Sequence, residues 1–186
     1  MLVFLVTGVS GTGKSTLARR LASWDHRTVS ADADSLLCAW TDRHGHRVER
    51  PAQPDTAWLA AHQWRWDADR LDQIIADAAR DGDDALWVFG QAANALQLAD
   101  RFDATFLLET DQRTMIARMG SPERGNDFGR VGDSLPAALA SYTDFVAGWR
   151  QYGATTIDAT GDVDTVAEQL LLAAAMAALR LNQRPD

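Results

Sequence analysis

The residues best suited to chemistry lie near the start of the 186-residue chain, in the segment GVSGTGKST at positions 8–16. Gly8 is followed by four residues and then by Gly13, Lys14 and Ser15, which matches the phosphate-loop pattern G-x-x-x-x-G-K-[ST]. Glycines allow such a loop to turn so that its backbone N–H groups approach an anion. We expect Lys14 to contact the outer phosphates of a nucleotide and the Ser15 hydroxyl to bind Mg²⁺.

The flanking residues favour nucleotide binding over a glycine turn without a ligand. The apolar run LVFLV precedes the loop and predicts a buried strand, and Leu17 and Leu21 follow at helical spacing. A helix that begins at Lys14 would direct its positive end at the same anion. Lys14 is also the only lysine in the chain, which favours a need for a compact ammonium group. The predicted nucleotide-binding residues of this segment are Gly8, Ser10, Gly11, Thr12, Gly13, Lys14, Ser15 and Thr16.

Two carboxylates, Asp32 and Asp34, follow a short strand predicted at 27–31. Because residues two apart in an extended segment point to the same side, both should face a ligand at the carboxyl end of that strand. One of them would then hold Mg²⁺, and the other would accept the proton of a hydroxyl group. The alternative is that one of them only caps a helix predicted at 35–40.

Regular alternation of strands and helices predicts the framework around these residues. Further strands are predicted at 85–89, 104–108 and 154–157, and the longer helices at 56–80, 111–118, 135–152 and 163–181. With no repeat and no linker, this pattern predicts a single α/β domain over residues 1–186 with a parallel sheet. Residues 35–80 are the predicted acceptor-binding region.

Two places in the sequence are candidates for contact with an acceptor. Trp66 falls opposite the apolar stripe of its predicted helix, so it either packs beneath the preceding loop or lines a pocket beside Arg65 or His62. The third strand ends at Gly90 and Gln91 rather than at the aspartate of a typical magnesium site. One hypothesis is that these two residues let the acceptor approach the backbone. The candidate substrate residues are Asp34, Arg65, Trp66, Gly90 and Gln91.

Residues 119–132 contain several glycines and polar turns, and Arg124 and Arg130 follow Arg118 there. We predict a short mobile lid, which would exclude water and bring guanidinium charge to a phosphoryl group in transfer. The alternative is an ordinary surface loop.

The composition limits the classes of partner. The net charge of −8 opposes binding to nucleic acid or to an acidic membrane, and the apolar start is too short for a signal peptide or a membrane span. The single cysteine, Cys38, is predicted to be a buried apolar residue and suits a reducing cytoplasm. His44 and His46 lack further metal-ligating neighbours, so we expect them in a solvated loop. The predicted partner is a small molecule in the cytoplasm, and the oligomeric state stays open.

The chain resembles the small P-loop kinases, the group that includes shikimate kinase, gluconate kinase, adenylate kinase and other nucleoside-monophosphate kinases. The matching features are GVSGTGKST, Asp32-x-Asp34, the glycine turn at Gly90, the arginine-containing lid and the segment IDAT at 157–160. This resemblance implies a three-layer P-loop NTPase fold with a five-stranded parallel sheet in the order 2-3-1-4-5. It also implies ATP as the donor, Mg²⁺, and transfer of the γ-phosphoryl group.

The resemblance further implies a role for each remaining candidate. Asp32 would lie near Mg²⁺, Asp34 near the acceptor hydroxyl, Arg118 near the adenine or the phosphates, Arg124 in the lid, and Asp158 and Thr160 beside the adenine. The implied catalytic residues are Lys14, Asp34 and Arg124. The favoured function is transfer of the γ-phosphoryl group of ATP to a hydroxyl of a small-molecule acceptor. The alternatives are a nucleoside-monophosphate kinase and a nucleotide-binding regulatory protein without catalysis.

The chain departs from the named family members around the acceptor. Shikimate kinase has three glycines where this chain has Gly90-Gln91-Ala92. Monophosphate kinases carry paired arginines in the helix after the lid, where this chain has only Arg150. Because an acceptor with a phosphate or carboxylate would need fixed arginines, we expect a small hydroxylated acceptor instead.

Overall fold

The protein is described by a computed structural model over residues 1–183, and eight strands and six α-helices follow one another there. The strands are β1 (Leu2–Thr7), β2 (Arg27–Ser30), β3 (Cys38–Thr41), β4 (Arg47–Val48), β5 (Gln63–Trp66), β6 (Ala85–Phe89), β7 (Ala104–Glu109) and β8 (Thr155–Asp158). The helices are α1 (Lys14–Ala22), α2 (Thr56–Ala61), α3 (Ala68–Asp81), α4 (Gln112–Gly120), α5 (Ser134–Tyr152) and α6 (Val163–Asn182). Short 3₁₀ helices occupy Ala31–Ala33 and Ala95–Arg101.

Five of the strands form a parallel sheet in the order β2-β6-β1-β7-β8. In the numbering of all eight strands this differs from 2-3-1-4-5, but the five strands counted by themselves follow that order. β1 lies in the centre, with Leu5 opposite Val88 of β6 and opposite Thr105 of β7. A central parallel strand is buried on both faces and has a continuous apolar sequence, which is why LVFLV predicted β1 correctly. The α/β fold around a parallel sheet is confirmed.

Helices cover both faces of this sheet, so that the molecule has three layers. Phe4 and Val6 of β1 face a core shared with α1 and α6, whereas Val3 and Leu5 face a core shared with α3 and α5. Because all five strands are parallel, the loops that follow them meet at one edge of the sheet, where α/β proteins bind ligands.

The region between β2 and α3 differs from the prediction at two points. The helix predicted at 35–40 is wrong, because Cys38–Thr41 form strand β3. The single helix predicted at 56–80 is also wrong, because β5 separates α2 from α3. Strands β3, β4 and β5 form a small antiparallel sheet in the order β4-β3-β5.

The cause of the second error is a strand period concealed within a helical pattern. In QWRW, Trp64 and Trp66 point to one side of β5, and Trp64 lies opposite Trp40 of β3. Asp67 then starts α3 by accepting a hydrogen bond from the Arg70 N–H at 3.0 Å. Trp64 of β5 therefore falls in line with the apolar stripe of α3, and this conceals the strand.

Three smaller predictions concern residues outside the main sheet. Cys38 is buried in the core, as predicted. His44 and His46 are exposed at the turn between β3 and β4, which agrees with the solvated loop expected there. None of the helices within residues 1–183 has the length and apolar character that a membrane span requires.

Candidate active site

The loop between β1 and α1 passes very close to β7, and glycine makes this path possible. At Gly8 a Cβ atom would lie 2.7 Å from the backbone oxygen of Leu108 and 2.7 Å from the Thr12 hydroxyl. Those distances are far below normal contact, so a side chain at this position would displace the loop. The Thr12 hydroxyl also donates a hydrogen bond to the Val9 carbonyl at 2.9 Å and closes the loop on itself.

The same loop presents unpaired backbone donors. Across residues 1–183, the N–H groups of Gly11, Gly13, Lys14 and Ser15 donate to no protein acceptor. Those at the start of α1 are unpaired because an α-helix leaves its first donors without partners. Together with the positive end of the helix dipole, they form the kind of site that binds phosphate.

Lys14 lies at the centre of the loop, with only 7% of its surface exposed. Its Nζ donates hydrogen bonds to the carbonyl oxygens of Gly8 at 2.5 Å and Val9 at 3.0 Å. The pKa of Lys14 is lowered to about 8, chiefly by burial; the negative charge of Asp32 opposes this shift and the positive charge of Arg124 adds to it. The charges of Asp32 and Arg124 therefore both interact with Lys14 across a shared space.

That space is a cavity of about 1090 Å³ beside the phosphate loop. Its lining residues include 10–16, Asp32, Arg118, Arg124, Ala159 and Gly161. The volume is at the upper end of the range for small-molecule sites. Backbone donors, an ammonium group, carboxylates and guanidinium groups thus line one cavity at the edge of the sheet.

Asp32 faces this cavity from the 3₁₀ helix that follows β2. The indole Nε1 of Trp64 donates a hydrogen bond to its Oδ1 at 3.2 Å. Its negative charge reaches Lys14, because it raises the pKa of that lysine. One of the two carboxylates singled out in the sequence therefore lies beside the phosphate loop.

Asp34 lies outside the cavity wall, and the prediction that both carboxylates face one ligand is wrong. Its Oδ1 accepts hydrogen bonds from the N–H groups of Leu36 and Leu37, and its Oδ2 forms a salt bridge with Arg70 at 3.1 Å. Burial raises the pKa of Asp34, but these hydrogen bonds and the Arg70 charge outweigh burial and bring it below its ordinary value. The cause is the turn at Ala31–Ala33, since residues two apart share a side only in an extended strand.

Arg124 is the lid residue whose charge reaches the phosphate loop. Its guanidinium lines the cavity and donates hydrogen bonds to the carbonyls of Met119 at 3.2 Å and Phe128 at 3.0 Å. Burial lowers the pKa of Arg124, and the nearby charge of Arg130 adds to that shift. Arg130 donates to backbone carbonyls within the lid and lies outside the cavity wall. Of these two arginines, Arg124 is the one that lines the cavity.

The predicted lid, residues 119–132, contacts the segment that precedes α2. Its Asp127 forms a salt bridge with Arg50 at 2.7 Å. Just beyond the lid, Asp133 accepts hydrogen bonds from both the N–H and the hydroxyl of Thr56. The lid therefore contacts the predicted acceptor-binding region as well as the phosphate loop.

The residues predicted near the adenine lie in the cavity wall or next to it. Arg118 lines it and donates a hydrogen bond to the Ala159 carbonyl at 2.9 Å. Asp158 accepts hydrogen bonds from the N–H and the hydroxyl of Thr160, and the two side chains form a turn. Ala159 and Gly161 line the cavity, whereas Asp158 and Thr160 are exposed beside it.

The remaining acceptor candidates lie away from the cavity wall. Trp66 is 3% exposed and packs in the core, so the hypothesis that it lines a pocket is wrong. At Gly90 a Cβ atom would lie 2.7 Å from the Ala31 Cβ and 2.9 Å from the Trp66 ring. Gly90 therefore serves close packing. Arg65 donates a hydrogen bond to a neighbouring glutamine on β5, and Gln91 is half-buried after β6.

Trp64 is the site residue that the sequence analysis missed. It was hidden because residues 56–80 were treated as one helix, which made Trp66 the unusual tryptophan. The alternation in QWRW was the signal that could have found it, because a strand places Trp64 and Trp66 on the same side. Of the two, Trp64 bonds to Asp32 and Trp66 fills the core.

Mg²⁺ fits the donor set at this cavity. The Ser15 hydroxyl lines it and would supply an oxygen ligand, and the negative charge of Asp32 in the same wall favours a cation there. Within residues 1–183 no group of three or more His, Cys, Asp or Glu side chains is arranged to hold a metal. This agrees with magnesium chemistry, since Mg²⁺ at such sites usually takes one or two protein oxygens and completes its shell with phosphates and water.

Comparison with known proteins gives matches among solved structures. Neither a protein-family model nor a curated protein matches the sequence. A gluconokinase from Sinorhizobium meliloti 1021 matches over 98% of this chain and 98% of its own, at 17% identity and a TM-score of 0.54. A sugar kinase from Janibacter sp. HTCC2649 matches over 92% and 93%, at 16% identity and a TM-score of 0.52.

A deoxyadenosine kinase from M. mycoides matches over 94% of this chain and 100% of its own, at 11% identity and a TM-score of 0.52. The chain has the fold of the small P-loop kinases. The resemblance drawn from the phosphate loop and the lid is confirmed at that level. Identities of 11% to 17% in these structures establish the fold alone, and the three neighbours differ in acceptor by their names.

Proposed function

We propose that this protein is a small-molecule kinase that transfers the γ-phosphoryl group of ATP to a hydroxyl group of its acceptor. The observation that carries the proposal is the convergence of three charged side chains on one cavity. Lys14, Asp32 and Arg124 all line it, and the charges of the other two both act on Lys14. Phosphoryl transfer needs a cation on the phosphates, a group that orients the hydroxyl and a lid cation for charge in the transition state.

Each residue has one task in the proposed reaction. The N–H groups of the phosphate loop and Lys14 bind the β- and γ-phosphates. Asp32 accepts the proton of the acceptor hydroxyl as the hydroxyl oxygen forms its bond to the γ-phosphorus. The bond from that phosphorus to the bridging oxygen breaks, and ADP leaves with the electron pair. Arg124 stabilises the transferring group, and Mg²⁺, which the Ser15 hydroxyl would help to hold, would supply charge neutralisation.

Asp32 takes the role that the resemblance gave to Asp34. Asp34 is bound to Arg70 and to two backbone N–H groups, and its pKa lies below the ordinary value. A carboxylate with a lowered pKa is a weaker base. Asp32 has the cavity in front of it, which supports it as the group that meets the hydroxyl.

The charges of the acceptor-binding region support an acceptor without phosphate or carboxylate. Each arginine of residues 35–80 already donates to a protein acceptor: Arg43 to His44, Arg47 to Ser35 and Leu36, Arg50 to Asp127, Arg65 to Gln63, Arg70 to Asp34, and Arg80 to Asp77. Arg150, the single arginine of α5, pairs with Glu109. These contacts direct each guanidinium to a protein partner, which weakens the case for a nucleoside-monophosphate kinase.

The proposal is tested by incubating the protein with Mg²⁺, ATP and a panel of acceptors. The panel contains hexoses, polyols, gluconate, nucleosides including deoxyadenosine, and nucleoside monophosphates. We expect ADP release that depends on an uncharged acceptor, with a product heavier by one phosphoryl group in mass spectrometry. Diphosphate products would establish the monophosphate kinase instead. Tight ATP binding without transfer to any acceptor would favour a regulatory protein.

A further inference from the structure

A row of three aromatic rings connects Asp32 with the lid. Trp64 donates its Nε1 hydrogen bond to Asp32 Oδ1 at 3.2 Å. Its ring centroid lies 5.8 Å from that of Trp40, the residue directly opposite it on β3. The Trp40 ring in turn lies 6.2 Å from the ring of Phe128 in the lid. We call Trp64, Trp40 and Phe128 the aromatic bridge.

At its far end the aromatic bridge reaches the lid arginine. The Phe128 carbonyl accepts a hydrogen bond from the Arg124 guanidinium at 3.0 Å. The backbone of Phe128 therefore holds Arg124, while its ring rests on Trp40. One continuous set of contacts joins Asp32 to Arg124, the two side chains that the proposed function places at the acceptor hydroxyl and at the transferring phosphoryl group.

The aromatic bridge is supported from a second side. Trp58 of α2 lies 5.0 Å from Trp40, and His62 stacks on Trp58 at 4.2 Å. Aromatic pairs have preferred geometries, so displacement of one ring disfavours the contact with its neighbour. All five rings are half-buried rather than sealed in the core, which lets the lid contact form and break without opening the core.

We propose that Trp64 is a positioning residue for Asp32, and that the aromatic bridge couples the direction of the Asp32 carboxylate to the placement of Arg124 by the lid. The inference rests on the proposed function, because it needs Asp32 at the acceptor hydroxyl. An indole N–H is only a donor and carries no charge. It therefore fixes one oxygen of the carboxylate without competing for the proton, and leaves the other oxygen for the hydroxyl.

The test uses the full chain with Mg²⁺ and ATP, and water in place of the acceptor. Trp64→Phe keeps the ring contact with Trp40 and removes the donor. We expect kcat for ATP hydrolysis to fall about tenfold, with KM for ATP changed by less than about twofold. In an Asp32→Asn background the same substitution should have no further effect, because Trp64 acts through Asp32. Phe128→Leu should lower kcat less than Trp64→Phe, and the two effects should not add.

Trp87→Phe is the matched control. Trp87 is a buried residue of β6, and its Nε1 has no hydrogen-bond partner within residues 1–183. It should lower Tm without lowering kcat, which separates loss of stability from loss of positioning. If Asp32→Asn leaves hydrolysis unchanged, the proposed function fails. If Asp32→Asn lowers hydrolysis while Trp64→Phe does not, the proposed function stands and the aromatic bridge is overturned.

A spectroscopic readout is independent of turnover. The indole ¹H–¹⁵N cross-peak of Trp64 is identified as the one that Trp64→Phe removes. We expect this cross-peak to move in Asp32→Asn and in Phe128→Leu, and to stay in place in Asp34→Asn. A cross-peak that Asp32→Asn leaves unmoved would mean that the hydrogen bond is not formed in solution, and the inference would be overturned.

Discussion

The phosphate loop and the segment from Asp32 to Trp66 both contribute to the site, the segment through Asp32, but they hold their functional groups in different ways. In the loop, the groups are unpaired backbone N–H donors and one lysine, and the partners of that lysine are the neighbouring carbonyls of Gly8 and Val9. In the segment, the groups are carboxylate side chains, and each of them has a partner that is distant in sequence. Asp32 is bound by Trp64, and Asp34 is bound by Arg70.

This difference shows where local sequence stops determining a site. A loop whose path depends on glycines and on the start of a helix adopts its geometry from nine consecutive residues. The direction of a carboxylate depends on which distant donor reaches it. Asp32 and Asp34 are only two residues apart, yet one faces the cavity and the other faces Arg70.

The largest expected effect separates the two carboxylates. Asp32→Asn should lower kcat for acceptor-dependent phosphoryl transfer by about 10²- to 10⁴-fold, the usual contribution of a general base. Asp34→Asn keeps the shape of the side chain and should change kcat by no more than about threefold, because Asp34 contacts Arg70 rather than the cavity. Steady-state kinetics on both variants, with Tm measured alongside, checks this pair.

Equal losses in the two variants at unchanged Tm would contradict the assignment. They would mean that the two carboxylates act together, as the sequence pattern suggested, and that Asp34 leaves Arg70 when ATP binds. An inactive Asp34→Asn with an active Asp32→Asn would restore the original assignment of the base to Asp34.

The next effect concerns the loop. Lys14→Met keeps much of the volume of the side chain and removes its charge, so the dissociation constant for ATP should rise about 100-fold. Isothermal titration calorimetry with Mg²⁺ and ATP measures it. Arg19→Met is a useful control, because Arg19 also lies at the cavity. Its side chain is exposed, and within residues 1–183 its only hydrogen bond goes to the Ser15 carbonyl. A smaller loss in Lys14→Met than in Arg19→Met would contradict phosphate binding by Lys14.

Much of the fold could be predicted, because its signals are local. The three central strands of the parallel sheet, β1, β6 and β7, are short apolar runs followed by loops, and the phosphate loop fixes the first βα unit. The prediction of a lid also rests on a local signal, the glycines and arginines within residues 119–132. The small antiparallel sheet was not predicted, since its strands overlap a helical pattern and form only when Trp64 pairs with Trp40. With that sheet missed, neither the direction of Asp34 nor the partner of Asp32 could be derived.

A further prediction tests whether Gly90 is needed for close packing against Ala31 and Trp66 or for binding the acceptor. Gly90→Ala places a Cβ where Ala31 and the Trp66 ring already lie, at 2.7 and 2.9 Å. We expect a loss of about 1–3 kcal/mol in the free energy of unfolding from overpacking. Gly120→Ala, where a Cβ would meet nothing within 4 Å, is the control and should be neutral or slightly stabilising. Urea denaturation measures both, and equal midpoints for the two variants would contradict the packing role.

The smallest effect is a pH dependence that only the loop should show. Burial lowers the pKa of Lys14 to about 8, so below that pH the ammonium group is charged and ATP affinity should be constant. Above it, binding to the phosphates requires uptake of a proton, and the dissociation constant should rise about tenfold for each pH unit. Titrations between pH 6.5 and 9.5 would show this, whereas Lys14→Met should give a flat profile because the titrating group is gone.

A wild-type profile that is flat through about pH 9 would place the pKa of Lys14 nearer its ordinary value. Burial would then lower the pKa of Lys14 less than the structure indicates, or the negative charge of Asp32 would offset more of that shift.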